Sequence, residues 1–142
     1  MPAFVVTAEL DADLDLLFQT EPDEVSAAEL LLELLYEDES ILDSVRPPQT
    51  VHQHIPTFEF KLFETAHQHG LNVYILKYWD PEYGHLCKHR ILVGYHPQRD
   101  TYYALTAPER GLAYHVGSAE FAELVRRYEL YGIPTLLGSR VR

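Results

Sequence analysis

The sequence predicts an α+β domain of two layers, with helices packed against one face of an antiparallel sheet. Three late runs, LNVYILKYW (71–79), KHRILVGYH (88–96) and TYYALTA (101–107), are rich in aromatic and β-branched residues and joined by short links, as in a meander. A leucine-rich helical stretch precedes them and an amphipathic one follows. At 142 residues, 46% of them hydrophobic, the chain suits one domain over 1–142, because two domains would each bury too little surface. Within it we expect an acidic strand-and-helix part over 1–46, the sheet over 55–110 and a last helix over 118–131.

AFVVTAEL (3–10) reads as an opening strand, followed by the acidic stretch DADLDLLFQT. Thr20, Pro22 and Asp23 then mark a helix start: a capping hydroxyl, proline in the first turn and an acid at the positive end of the dipole. The spacing of Val25, Ala28, Leu31, Leu32 and Leu35 predicts a helix over 21–37, and Leu30 and Leu34 widen its stripe. Burial on two sides accounts for that width, and a groove for a partner helix is the alternative. A short helix from Ser40 to Val45 ends at Arg46-Pro47-Pro48, where the residue before proline avoids helical angles. Phe58, Phe60 and Leu62 alternate as a strand does, while Lys61 to His69 suits a helical turn closed by Gly70, and both readings stand. Pro97 fits the second position of a turn over 96–100. Ser118 caps the final helix, whose apolar face is Phe121, Leu124, Val125 and Tyr128 and whose end is marked by Gly132 and Pro134.

The net charge of −11 is unevenly spread. Residues 1–45 carry 13 acids and no Lys or Arg, whereas residues 46–142 carry 9 acids and 11 bases with all eight histidines. Nucleic-acid affinity rests on phosphate contacts, so the overall charge opposes it, yet the deficit sits in one segment. No apolar run approaches the roughly 20 residues needed to cross a bilayer, and the N-terminus lacks the basic flank of a signal peptide. We therefore expect a soluble cytoplasmic protein with no membrane partner. The single cysteine, Cys87, excludes an internal disulfide and reads as a small buried residue.

His52/His54 and His67/His69 each set two imidazoles two residues apart, on one face if they lie on strands. No acidic or cysteine ligand completes either pair locally, which favours a structural or surface role over metal binding. HExxH, GxSxG and P-loop motifs are absent. Lys77 ends one predicted strand, Arg90 begins the next and Arg110 follows the third. A single charge at such a position is normally solvated. An antiparallel meander brings Lys77 close to Arg90 and carries Arg110 toward the far end of the Arg90 strand, unless the strand order returns it.

YILKYWD followed by HRILVGYHPQRDTYYALTAPER resembles the core of the RelE/ParE superfamily of bacterial toxin–antitoxin toxins, in which a lysine-bearing strand, an arginine-bearing strand, a short turn, an apolar strand and a basic residue occur in that order. The resemblance covers about 40 residues and the order of elements around them, and RRYELYGIP resembles the tail of longer members. It implies a RelE-like fold and a metal-independent endoribonuclease that cleaves mRNA on the ribosome, inhibits translation, needs no cofactor and is partnered by a cognate antitoxin protein. Carried over by position, Lys77 would stand near the attacking hydroxyl and scissile phosphate. Arg90 and Arg110 would hold phosphate oxygens, and Tyr114 or His115 would stack on a base or give a proton. His89 would pack beside the strand. Ile75 replaces a family lysine, and the acidic N-terminal part departs from basic RelE proteins. The ParE branch, which acts on gyrase without these groups, and a catalytically inactive RelE-fold interaction protein are the alternatives. The acidic segment would restrain RNA binding until displaced, so that removal of residues 1–20 would strengthen it.

Overall fold

The computed structural model describes residues 3–38, 41–42, 49–51 and 57–136. Its elements are β1 (Ala3–Val6), α1 (Ala8–Leu17), α2 (Pro22–Glu37), β2 (Gln49–Val51), β3 (Phe58–Leu62), α3 (Glu64–Gln68), β4 (Val73–Tyr78), β5 (Ile91–His96), β6 (Thr101–Thr106), a 3-10 turn (Leu112–Tyr114) and α4 (Ala119–Leu130). The class is α+β, as expected. The strands form one sheet in the order β1-β6-β5-β4-β3-β2. It is mixed, not purely antiparallel, because β1 runs parallel to β6 with Ala3 opposite Thr101.

Helices cover both faces, which corrects the two-layer expectation. One core joins α1 and α2 to Phe4, Phe58, Phe60, Leu76, Ile91 and Val93. The other joins α4 to Val73, Leu92, Tyr103 and Leu105 through Phe121, Leu124 and Tyr128. Successive residues of β5 and β6 therefore enter different cores, and every residue of β6 is buried. Strands apolar on both faces require cover on both.

The opening strand is shorter than expected, and the acidic stretch after it is helical. Thr7 turns the chain: its hydroxyl donates to the Ala104 carbonyl at 2.8 Å and accepts from the Leu10 N–H at 3.2 Å, capping α1. Leu10 and Leu14 then reach the core while Asp11 and Asp15 face solvent. Residues 3–17 are thus a sheet edge and a packed helix, an integral part of the fold whose removal would uncover β6 and the core.

In α2 the cap differs from the expected one. Glu21 holds the N-cap position without a side-chain bond to the helix N–H groups, and the Thr20 hydroxyl donates back to the Leu17 carbonyl at 3.3 Å. Val25, Ala28, Leu31, Leu32 and Leu35 are buried, but Leu30 is 45% exposed, so one face is packed and burial on two sides is not observed. Ile41 and Leu42 are helical and buried, and the rest of the expected 40–45 helix lies outside the described residues. Both readings of the 58–70 stretch hold in succession: β3 occupies 58–62, α3 occupies 64–68, and Gly70 closes it at φ +82°. Ser118 caps α4 as expected, accepting from the Phe121 N–H at 3.0 Å.

Gly94 on β5 sets how closely α4 and the chain after it approach the sheet. A Cβ there would lie 2.7 Å from Ile133 Cδ1 and 3.2 Å from Leu105 Cδ1. Gly94→Ala is expected to destabilise the fold by about 1–2 kcal/mol through overpacking, read as a lower urea midpoint at unchanged slope.

Candidate functional site

Strand pairing decides where the predicted site residues stand. The β4–β5 register ends with Leu76 opposite Ile91, and beyond it the pairing shifts, with Trp79 bridging Leu86 and the Cys87 N–H donating to the Tyr78 carbonyl at 2.9 Å, so Lys77 and Arg90 each flank the last regular pair. Below β5 the hairpin continues: the Arg90 N–H donates to the Pro108 carbonyl at 2.9 Å and the Arg110 N–H to the Lys88 carbonyl at 2.7 Å. Arg110 thus lies beside Arg90, and the expectation that it falls at the far end of that strand is corrected. The reason is elementary, since an antiparallel hairpin apposes the start of its first strand to the end of its second.

Lys77 shares a face of β4 with Ile75. Its ammonium pairs with the cross-strand neighbour Glu59 at 3.4 Å, both side chains being about a quarter exposed or less. Beside them Lys61, Phe63, Ile75 and Tyr114 line an open depression of about 450 Å³. Tyr114 is held there by Phe63, with ring centroids 5.5 Å apart. Arg90, Arg110 and Tyr114 are thus close enough to act on one another electrostatically, Lys77 follows the last regular β4–β5 pair at the same end of the sheet, and of the predicted residues only Tyr114 lines the depression. His115 is exposed next to Tyr114.

Arg90 differs most from its expected solvated state. It is 2% exposed, with Nη1 donating to the Cys87 carbonyl at 2.6 Å and the His89 carbonyl at 3.3 Å, while Nε is buried without a partner. Burial above all, with Arg110 adding to it, holds its pKa below the usual guanidinium value against the opposing pull of Tyr114, Tyr78 and Glu24. Arg90 thus projects positive potential from beneath the surface, and Arg110 carries the exposed guanidinium.

The chain matches no family model, no curated protein and no solved structure.

A cluster that sequence reading does not reveal lies on the opposite side of the same strand ends. Glu24, in the first turn of α2, accepts from the Lys88 N–H at 3.0 Å, the His89 N–H at 3.1 Å and His89 Nδ1 at 3.0 Å. His89 does pack beside the strand, but as the partner of a carboxylate 65 residues away. Burial by itself would raise the Glu24 carboxyl, and the His89 ring with the two backbone donors outweighs it, so its pKa lies below the ordinary value.

Ligand atoms of Glu24, His85 and Cys87 lie within 4.8 Å of one another, a spacing a metal can use. The donors fit an ion poorly. Glu24 is already occupied by three hydrogen-bond donors, and burial pushes the Cys87 thiol up to about 12, away from the thiolate that metals take. Alkylation of Cys87 by iodoacetamide at pH 8 is accordingly expected to run at least ~100-fold slower in the folded protein than in urea. Of the histidine pairs, His67 and His69 are both exposed, on and just beyond the short helix α3 rather than a strand, and His69 Nδ1 meets the Thr65 carbonyl at 3.0 Å. His52 and His54 lie outside the described residues. Among the described residues no helix is long and apolar enough to cross a membrane.

Proposed function

We propose that the protein is a RelE-like toxin of a bacterial toxin–antitoxin pair, an endoribonuclease that cleaves mRNA on the ribosome in the cytoplasm and is held in check by a cognate antitoxin. The observation that carries this reading is the placing of Lys77, Arg90 and Arg110 at one end of the sheet, with Tyr114 close to Arg90 and lining an open depression. In the reaction O2′ attacks the adjacent phosphorus and the P–O5′ bond breaks. A 2′,3′-cyclic phosphate forms, and one proton moves overall from O2′ to O5′. Lys77 stands at the hydroxyl and phosphate, while Arg110 grips phosphate oxygens with Arg90 behind it. Tyr114 and His115 supply the stacking surface and the proton for O5′. The Lys77–Glu59 pair does not bar phosphate, because a partly solvated pair of this kind is worth only about 0–1 kcal/mol.

One observation favours a second reading, a RelE-fold protein that binds an antitoxin-like partner without cleaving RNA. The Arg90 guanidinium is buried and bonded to the Cys87 and His89 carbonyls, so phosphate reaches it only if that end of the sheet rearranges.

The two are separated by inducing the protein in a bacterial culture beside a Lys77→Ala/Arg110→Ala/Tyr114→Phe variant of matched abundance and fold, with mRNA 5′ ends mapped in both. Arrest with new ends in the wild type alone is the expected result. Arrest by both without new ends would mark a bound target such as gyrase, and growth unaffected by either would leave the non-cleaving partner protein.

A further inference from the structure

A second cavity, of about 610 Å³, lies where α1, the end of β6 and the first turns of α4 meet, and its wall includes His89, Pro108 and Glu109, the chain neighbours or hydrogen-bond partners of Arg90 and Arg110. Its size is that of a small-ligand site. The cavity exists because β1 stops short: its last pair is Val6 with Ala104, after which α1 replaces a strand beside β6. The β5–β6 register also shifts by one between Leu92 and Val93, leaving Leu105 as the extra residue of a bulge just before Thr106.

Thr106 lines this cavity, is 6% exposed, and has a buried hydroxyl with no hydrogen-bond partner. A buried hydroxyl without a partner is uncommon and calls for one. His89 lines the same cavity. Its Nδ1 is engaged by the Glu24 carboxylate, which leaves Nε2 as the ring atom available to a ligand. Glu109 and Glu120 also line the wall, and neither has an ion-pair partner among the described residues. Asp13 and Glu123 on the same wall are spoken for by Arg127, at 2.7 and 2.6 Å. Lys88, on whose charge Glu109 acts, is held by Glu21, and the exposed Arg110 follows Glu109 in the chain without lining the cavity. Leucines from α1 complete the lining and offer an apolar surface.

We infer that this cavity binds an organic cation on a short apolar stem, an alkylguanidinium or alkylammonium group. Its N–H donors meet the Glu109 and Glu120 carboxylates and the Thr106 hydroxyl, and its stem lies along the α1 leucines. Such a group is presented either by a free amine or by an arginine or lysine side chain of a peptide, and the shared chemistry is what the site reads. This site is independent of the RNA reading, and its test involves no cleavage.

Calorimetric titration of the full chain with n-butylguanidinium, its neutral isostere N-butylurea, and the peptide acetyl-Leu-Arg-Leu-amide tests it. The cation is expected to bind at least ~10-fold more tightly than the urea, since a hydrogen bond to a charged group is worth that much. Glu109→Gln/Glu120→Gln should remove most of that preference, and Thr106→Val should weaken the cation by about 3- to 10-fold. Glu109 is exposed and Glu120 partly so, and circular dichroism verifies that the variants fold. Tighter binding of the peptide than of butylguanidinium supports the inference with a protein side chain as source, and the reverse supports it with a free amine. Equal binding of cation and urea, no binding of either cation or peptide, or binding unchanged in both variants would overturn it.

Discussion

Replacement of Glu24 by alanine is expected to lower stability by about 3–4 kcal/mol, a large share of the 5–15 kcal/mol typical of a domain. The carboxylate is the common acceptor for two backbone N–H groups and one imidazole, and it is 8% exposed. Removing it strands three donors where little water reaches, and each buried orphan costs about 1–3 kcal/mol before relaxation. The loss extends beyond the site, because Lys88 and His89 lead into β5 and pair with Arg110 and Glu109 in the chain after β6. Glu24→Gln should fall between wild type and alanine, since its amide keeps one acceptor oxygen but turns an NH2 toward donors. Urea unfolding followed by circular dichroism measures both, and a loss under 1 kcal/mol in the alanine variant would refute the assignment.

The same carboxylate gives the prediction a pH signature. Its folded pKa lies below the ordinary glutamate value of 4.5, so the stability it contributes is fully present above that value and is lost as pH falls through the folded value. Wild type should therefore lose stability on acidification below about pH 4.5, and Glu24→Gln should lose less over the same range. Parallel curves for the two proteins would show that Glu24 is not the group responsible.

That cluster also marks where sequence reading stops. Glu24 looks like any acid in the first turn of a helix, and His89 like a polar residue at a strand end. Only a contact across 65 residues joins them, and no local pattern encodes it. Arg90 is similar: its charge predicts solvent, and the carbonyls of Cys87 and His89 at the mouth of the hairpin make burial tolerable. Other features were legible. The strands β4, β5 and β6, the Ser118 cap and a turn between β5 and β6 lie where composition puts them, because propensity and turn chemistry act within a few residues, whereas β2 was not foreseen and the Asp100 N–H closes the turn on the Pro97 carbonyl, which makes Pro97 its first residue. Two signals were present and outweighed. Thr7 followed by Glu9 and Asp11 is a helix start, masked by the β-rich AFVV before it. ILVGYH and TYYALTA are nearly continuous apolar runs, which indicate a sheet covered on both faces more than the single-sided alternation of a two-layer fold.

Cover on both faces raises the question of what ties the two helical layers together, and Arg127 is one link, beside the Tyr131 hydroxyl that donates to Glu9 of α1. From α4 its Nη1 reaches Asp13 of α1 at 2.7 Å and the Leu105 carbonyl of β6 at 2.8 Å, while Nε takes Glu123 at 2.6 Å. The Leu105 carbonyl lies beyond the last β1–β6 pair, on a stretch of edge that no strand covers, so the guanidinium does there what a neighbouring strand would do. Burial would lower the Arg127 pKa, but the bonds to Asp13 and Glu123 prevail and raise it, so charge loss is not a route to relief. Arg127→Ala should cost about 2–4 kcal/mol. The carboxylates will soften the loss, because Asp13 is 45% and Glu123 37% exposed and both rehydrate, whereas the carbonyl and the vacated volume do not. Arg127→Lys should recover less than half, since one ammonium cannot serve three acceptors set in different directions. A double-mutant cycle with Asp13→Ala isolates the helix-to-helix part, expected at about 1 kcal/mol or more and little reduced by added salt. A coupling near zero would mean that the Arg127–Asp13 bridge adds nothing between the layers, leaving the Tyr131–Glu9 hydrogen bond and the sheet to join them, and the Leu105 carbonyl would then account for whatever the single substitution costs.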